Sequence, residues 1–169
     1  MPSRIMLTAA LTLALGLSAC GDDQAPTLTQ KTLTFTERET DNNFGFTDNA
    51  PKTKIGDEGP ERLSNGDAFT FSGDLLDGSG KDRGELDTSC AVTRPGGFDE
   101  AHLQCTATAT VPGGTITLAR GGRVFAGADP RGAVLGGTGT YAGATGDFTE
   151  GEESAGRTPY TFHLWLPRR

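Results

Sequence analysis

The sequence is short of the side chains that most often carry chemistry. It has two histidines, three cysteines, two methionines and one tryptophan in 169 residues. His102 falls at a turn and His163 in the closing segment. The two lie far apart in sequence, and single separated histidines make no metal site. A bond between Cys90 and Cys105 would consume both thiols, which argues against a catalytic one. Ser72 and Ser89 lack His and Asp partners, which leaves a triad hydrolase unsupported. Basic residues are outnumbered, 15 against 22 acidic, for a net charge of −7. An acidic chain is repelled by phosphate backbones, and no basic patch is interleaved with aromatics. Nucleic acid and anionic headgroups are therefore poor partners. No apolar run reaches the ~20 residues of a membrane span, and no amphipathic helical pattern of ten or more residues is found.

The first twenty residues stand apart. Arg4 is followed by an uncharged run from Ile5 to Ala19, which ends in Leu17-Ser18-Ala19-Cys20. Its length suits a secretory signal. The small Ser18 and Ala19 before a cysteine resemble a bacterial lipobox, in which the thiol becomes the acylation nucleophile. Residues 1–19 then read as a signal peptide, Cys20 as a lipidation site and 20–30 as a polar tether. The expectation is an extracytoplasmic protein held to a bacterial membrane through lipid on Cys20. An ordinary signal with an incidental cysteine is the alternative. Arg4 is the only charge before Cys20, so the 15 basic and 22 acidic residues become 14 against 22, a balance of −8.

What the sequence has in quantity is glycine, 25 residues, with many threonines. Gly, Pro, Asn and Asp divide the chain into strand-like segments at 32–39, 67–76, 85–94, 103–111, 114–122, 133–151 and 158–167. The glycine-rich 133–151 holds two of them, giving about eight strands. A long segment over 41–66 reads as an irregular insert. Eight strands in one domain predict an all-β, eight-stranded antiparallel up-and-down barrel, with a two-sheet sandwich as the alternative. Cys90 and Cys105 sit symmetrically about a turn in "RPGGFDE". In a hairpin they oppose each other directly, within reach of a disulfide. That register puts Leu86, Cys90 and Val92 on one face, with Leu103, Cys105 and Ala109 opposite them.

The stretch "GGTGTYAGATG" (136–146) approaches a dinucleotide-binding fingerprint. The residues downstream of it have no helical periodicity, and no acidic residue sits about 20 positions on at the end of a second strand, so the reading fails. Glycines here suit bends in a curved sheet. With the closing "YTFHLWL", the segment resembles the allene oxide cyclase and dirigent barrel superfamily. "FTERETDN", "GDAFTFSGDLLD", "GELDTSCAV" and "GGTITLARGG" come in the matching order, so the resemblance spans residues 31–167. It implies an eight-stranded barrel around an apolar cavity that needs no cofactor, and a tendency to homo-oligomers. Transferred position by position, it places cavity groups at Thr34, Thr36, Gly73 and Cys90. Three of these four depart from the plant cyclases or are blocked, which argues against allene oxide cyclase activity itself.

Candidate site residues emerge from the pattern. Alternation from Leu33 and Phe35 turns Glu37 inward at the cavity mouth, where burial would raise its pKa and suit it to acid–base work. The transferred alignment turns Thr34 and Thr36 inward instead, and the two conflict. Tyr141 and Tyr160 can offer hydroxyls to a ligand. Phe71, Val92 and Leu118 are candidate apolar lining. "DGSGKDRGELD" (77–87) faintly resembles a calcium loop but lacks alternate-residue ligands. Three functions remain open: a module that binds a small apolar ligand, a cofactor-free cyclase or isomerase, and a structural surface protein with a filled barrel.

Overall fold

The computed structural model describes residues 27–56, 59–123 and 131–168, without the side chains of Asp41 and Asn42. The signal segment 1–19 and the lipidation candidate Cys20 lie outside the described residues. Eight strands form the body: β1 (Leu28–Thr47), β2 (Ala68–Leu76), β3 (Asp82–Arg94), β4 (His102–Val111), β5 (Gly114–Gly122), β6 (Arg131–Gly137), β7 (Thr145–Glu150) and β8 (Arg157–Pro167). Each pairs antiparallel with its sequence neighbour, and β1 pairs with β8 to close the ring. The seam runs from Leu28 opposite Pro167 to Arg38 opposite Arg157. The fold is thus the up-and-down barrel; the closed ring, which leaves no sheet edge, sets the sandwich aside.

Strict alternation makes these segments strands. In β8, Thr158, Tyr160, Phe162 and Leu164 are buried while Pro159 and Trp165 face solvent. In β3 and β4, Leu86, Cys90, Val92, Leu103, Cys105 and Ala109 turn inward. Cys90 pairs directly with Cys105, and the two are bonded with Cα atoms 4.0 Å apart.

β1 is longer than its sequence suggests. The polar Asp41–Asn43 reads as the start of a loop, but the strand bulges between Glu39 and Phe44 and then resumes, with Phe44 opposite Phe71 and Phe46 opposite Phe69. Alternate phenylalanines on both strands supply the packing that offsets the bulge. The irregular insert therefore begins at Asp48. It is pinned by Asp67, fully buried, which accepts bonds from the Ser64 amide at 2.7 Å, the Ser64 hydroxyl at 2.8 Å and the Asn49 amide at 2.8 Å. Burial pushes the Asp67 carboxyl up, but these donors outweigh it and hold the group below its usual range. Leu63 from the insert joins Phe69, Val92, Leu103 and the disulfide in one cluster, with Phe98 against it.

The opposite end is plugged. A 3₁₀ turn, Gly139–Tyr141, tucks Tyr141 under the strands with Val111, Ile116, Ala144 and Leu164. Gly139 has φ +59°, and a Cβ there would stand 2.0 Å from the Gly113 carbonyl oxygen. Gly146, at φ +139°, leaves 1.9 Å to the His163 carbonyl oxygen. These glycines let neighbouring backbones touch where the sheet turns; no helix comes after them, so no phosphate site is formed.

Replacing Cys90 and Cys105 together by alanine is expected to lower the unfolding free energy by about 3 kcal/mol, from the chain-entropy gain of a loop this size. The two cysteines are 15 residues apart. A urea titration that gives an unchanged midpoint would refute the estimate.

Candidate functional site

The unplugged half of the barrel holds a cavity of about 360 Å³. It opens at the end where β1 bulges and β8 begins. Its apolar wall comes from Phe71 on β2, Leu86 on β3, Leu118 on β5 and Phe148 on β7, with the Cys90–Cys105 bridge between them. Its polar wall comes from Glu37, Arg120, Glu150, Thr158 and Tyr160. A wider depression of about 840 Å³ lies open on the outside of β2–β5, lined by Thr70, Ser72, Asp87, Ser89 and Thr106 among others. Asp87 is its one titratable side chain among the described residues, so the interior is the better candidate for chemistry.

Glu37 is the centre of the polar wall. Leu33 and Phe35 face the core, and Glu37 continues their series inward with 4% of its surface exposed. Thr34 is exposed. The placement of Thr34 and Thr36 in the cavity, transferred from the resemblance, is thereby corrected in favour of the residue alternation. Gly73 makes the room: a Cβ there would lie 2.7 Å from Glu37 Cγ and 2.8 Å from Glu37 Oε1. The glutamate thus fills the space that the missing Gly73 side chain leaves.

The electrostatics derive from burial. Removal from water pushes the Glu37 carboxyl up to about 7; a hydrogen bond donated by the Tyr160 hydroxyl pulls the other way, and the charges of Glu150, Glu39 and Glu153 add to the rise. Burial, with the carboxylates of Glu37 and Glu150, raises Tyr160 far above its ordinary value, so its hydroxyl stays a neutral donor. Glu150 is raised by burial and drawn back by Arg120, with which it forms a hydrogen-bonded ion pair. The cavity therefore contains one carboxyl poised between its two protonation states near neutrality, one fixed hydroxyl donor and one ion pair. A group with its pKa near the working pH can both take and give a proton.

The sequence candidates divide among several places. Phe71 and Leu118 line the cavity. Val92 does not; it packs in the cluster beneath Leu63, where the insert covers it. Tyr141 lies in the plugged end, its hydroxyl donating to the Pro112 carbonyl at 3.1 Å and its ring 5.2 Å from the Lys31 ammonium. Asp77, at the head of the calcium-like stretch, accepts from the Ser79 and Lys81 amides at 2.9 and 3.1 Å and from Arg83 at 2.7 Å, an ordinary turn. Among the described residues no three His, Cys, Asp or Glu side chains are grouped to hold a metal. Arg120 and Glu150 were missed by sequence reasoning, although each has a signal. Arg120 continues the inward series Ile116, Leu118, and Glu150 comes two residues after Phe148.

A buried carboxyl with a raised pKa makes stability depend on pH. In the unfolded chain Glu37 ionises near 4.5, in the barrel near 7. The folded state holds the proton more tightly, so this contribution is complete below about pH 4.5 and is lost as pH rises through 7. Glu37→Gln is therefore expected to match the parent near pH 4 and to exceed it by up to about 3 kcal/mol at pH 8. Paired urea titrations at the two pH values check this; an equal difference at both would remove the titration as its cause.

No protein-family profile and no curated protein matches the chain. Solved structures do. A pyocyanin demethylase superposes with a TM-score of 0.63 at 24% identity, over 79% of this chain and 99% of its own. A pterocarpan synthase dirigent protein gives 0.62 at 15% identity, over 86% and 90%. A Diels Alderase from Streptomyces koyangensis gives 0.54 at 18% identity, over 82% and 64%. Together with the closed eight-stranded ring, these likenesses show that the chain has a dirigent-like barrel fold.

Proposed function

We propose that this barrel is a cofactor-independent isomerase or cyclase, which takes a small ring-bearing molecule into its cavity and moves a proton on it through Glu37. The observation that carries this reading is the position of the Glu37 carboxyl, buried in the cavity wall, bonded to Tyr160 and balanced between protonation states near neutral pH. Ionised, it removes a proton from carbon or oxygen of the bound molecule; protonated, it returns one at another atom. Tyr160 holds the carboxyl in place and stays neutral throughout. The apolar wall excludes water, which keeps the base strong and fixes the ligand's conformation. The structural neighbours are named for a demethylation, a pterocarpan synthesis and a Diels–Alder reaction, which supports chemistry inside such barrels.

The second reading is a carrier that binds an apolar ligand without changing it. Leu86, Leu118, Phe71 and Phe148 in the wall favour it. The third, a barrel filled by its own side chains, does not fit a cavity of about 360 Å³.

A generic proton-abstraction probe separates the first two. With 5-nitrobenzisoxazole a base removes the proton on carbon, the N–O bond breaks, and the ring opens to a single product, a nitro-substituted cyanophenolate. The rate constant kcat/KM is expected to rise with pH to a plateau, with its midpoint near 7. Glu37→Gln should lower it about 100-fold or more. Tyr160→Phe removes the bond that favours the ionised carboxylate, so its midpoint should move to higher pH. Saturable binding of the probe without turnover would favour the carrier.

We also propose that Cys20 tethers the chain to a membrane. Leu28 begins β1 at the plugged end, so the chain enters the barrel on the side opposite the cavity mouth. Metabolic labelling with a tagged fatty acid is expected to mark the parent and to be lost in Cys20→Ala; a labelled Cys20→Ala would refute it.

A further inference from the structure

We propose that the cavity selects a planar aromatic cation over an aromatic anion. This rests on the reading of the barrel as a small-molecule site and names the ligand class that the site takes. Two independent features of the cavity point the same way. The first is charge. Glu37, Glu39, Glu150 and Glu153 contribute to the lining, while Arg120, the one basic side chain among the described lining residues, is already ion-paired with Glu150. An anionic ligand entering the mouth meets Glu39 and Glu153 and displaces no counter-charge; a cation gains both.

The second feature is the rings. Phe44, Phe71, Phe148 and Tyr160 all line the cavity. Aromatic faces are negative and attract cations, most strongly where water is excluded. Phe44 is 64% exposed at the mouth, a ring left uncovered where a ligand enters. Carboxylates alone would suit a hydrated inorganic ion, and rings alone would suit any apolar molecule. Both together suit a delocalised organic cation that stacks on the rings and balances the acids. The volume, about 360 Å³, lies toward the small end of the ~300–1,000 Å³ range of ligand pockets. It fits two or three fused rings better than a long acyl chain.

The test uses three ring systems of similar size with the purified, disulfide-intact protein: N-methylacridinium as the cation, acridine as the neutral form and anthracene-9-carboxylate as the anion. Fluorescence titration at about pH 8 and low salt is expected to show one-to-one binding of the cation, at least about tenfold tighter than the anion. The preference should shrink in about 0.5 M salt, and in Glu39→Gln/Glu153→Gln it should fall to within about threefold while acridine binding holds. Equal or tighter binding of the carboxylate overturns the proposal, as does a preference that the double variant leaves intact, or no binding by any of the three. The neutral 5-nitrobenzisoxazole reports on Glu37 whatever the charge preference. Turnover of that probe without cation selectivity therefore removes the ligand class and leaves the acid–base reading standing.

Discussion

The interior of an eight-stranded barrel is only wide enough for the side chains that point into it, and everything distinctive about this protein depends on how that space is divided. At the plugged end several inward positions are large: Ile116, Phe162, Leu164 and Tyr141 pack in one buried cluster. Nearer the mouth several of them are small. Gly73, Thr88, Ala107 and the joined Cys90 and Cys105 face inward there. A change in side-chain size along the strands thus leaves a cavity in a fold that would otherwise pack shut. The disulfide spans β3 and β4 with little bulk and joins the cavity wall to the cluster under Leu63.

The cavity is costly to keep polar. A carboxyl taken out of water, a buried ion pair and a tyrosine hydroxyl occupy positions that leucine or phenylalanine would fill more stably. Removing water raises the proton affinity of Glu37, and the same desolvation makes its charge powerful toward anything that enters. Stability given up at a site of this kind is the common companion of activity. Gly73 shows the fit in detail: a backbone position without a side chain lets a long acidic one from the next strand lie flat against it.

Much of this was legible in the chain. Alternation around Leu86, Cys90 and Val92 gave the faces of the central hairpin, and the symmetry of Cys90 and Cys105 about their turn gave its register, which the structure reproduces. The same alternation placed Glu37 inward, whereas a position-by-position transfer to Thr34 and Thr36 was off by one residue, which in a strand reverses every side chain. What escaped was set by tertiary contacts. Asp41–Asn43 has the composition of a turn, and only Phe69 and Phe71 on the next strand keep β1 going past it. Val92 faces inward as expected but is covered by Leu63, which comes from an insert with no strand-like pattern. Arg120 and Glu150 each continue an inward series although their charge suggests solvent; their pairing across 30 residues cannot be read from either neighbourhood alone.

The ring is a meander whose first strand closes on its last. Glu37 lies on β1, and its partner Tyr160 on β8, so the two halves of the site meet only across the final seam. A chain emerging N-terminus first, from a ribosome or a translocation channel, has β1 through β7 available before β8 arrives. Until then β1 is an open sheet edge, able to pair with whatever strand it meets. The last strand to be made both removes that hazard and completes the pocket, so that a protein cut short by a dozen residues loses the pairing of Glu37 with Tyr160 and its protection against aggregation in the same step.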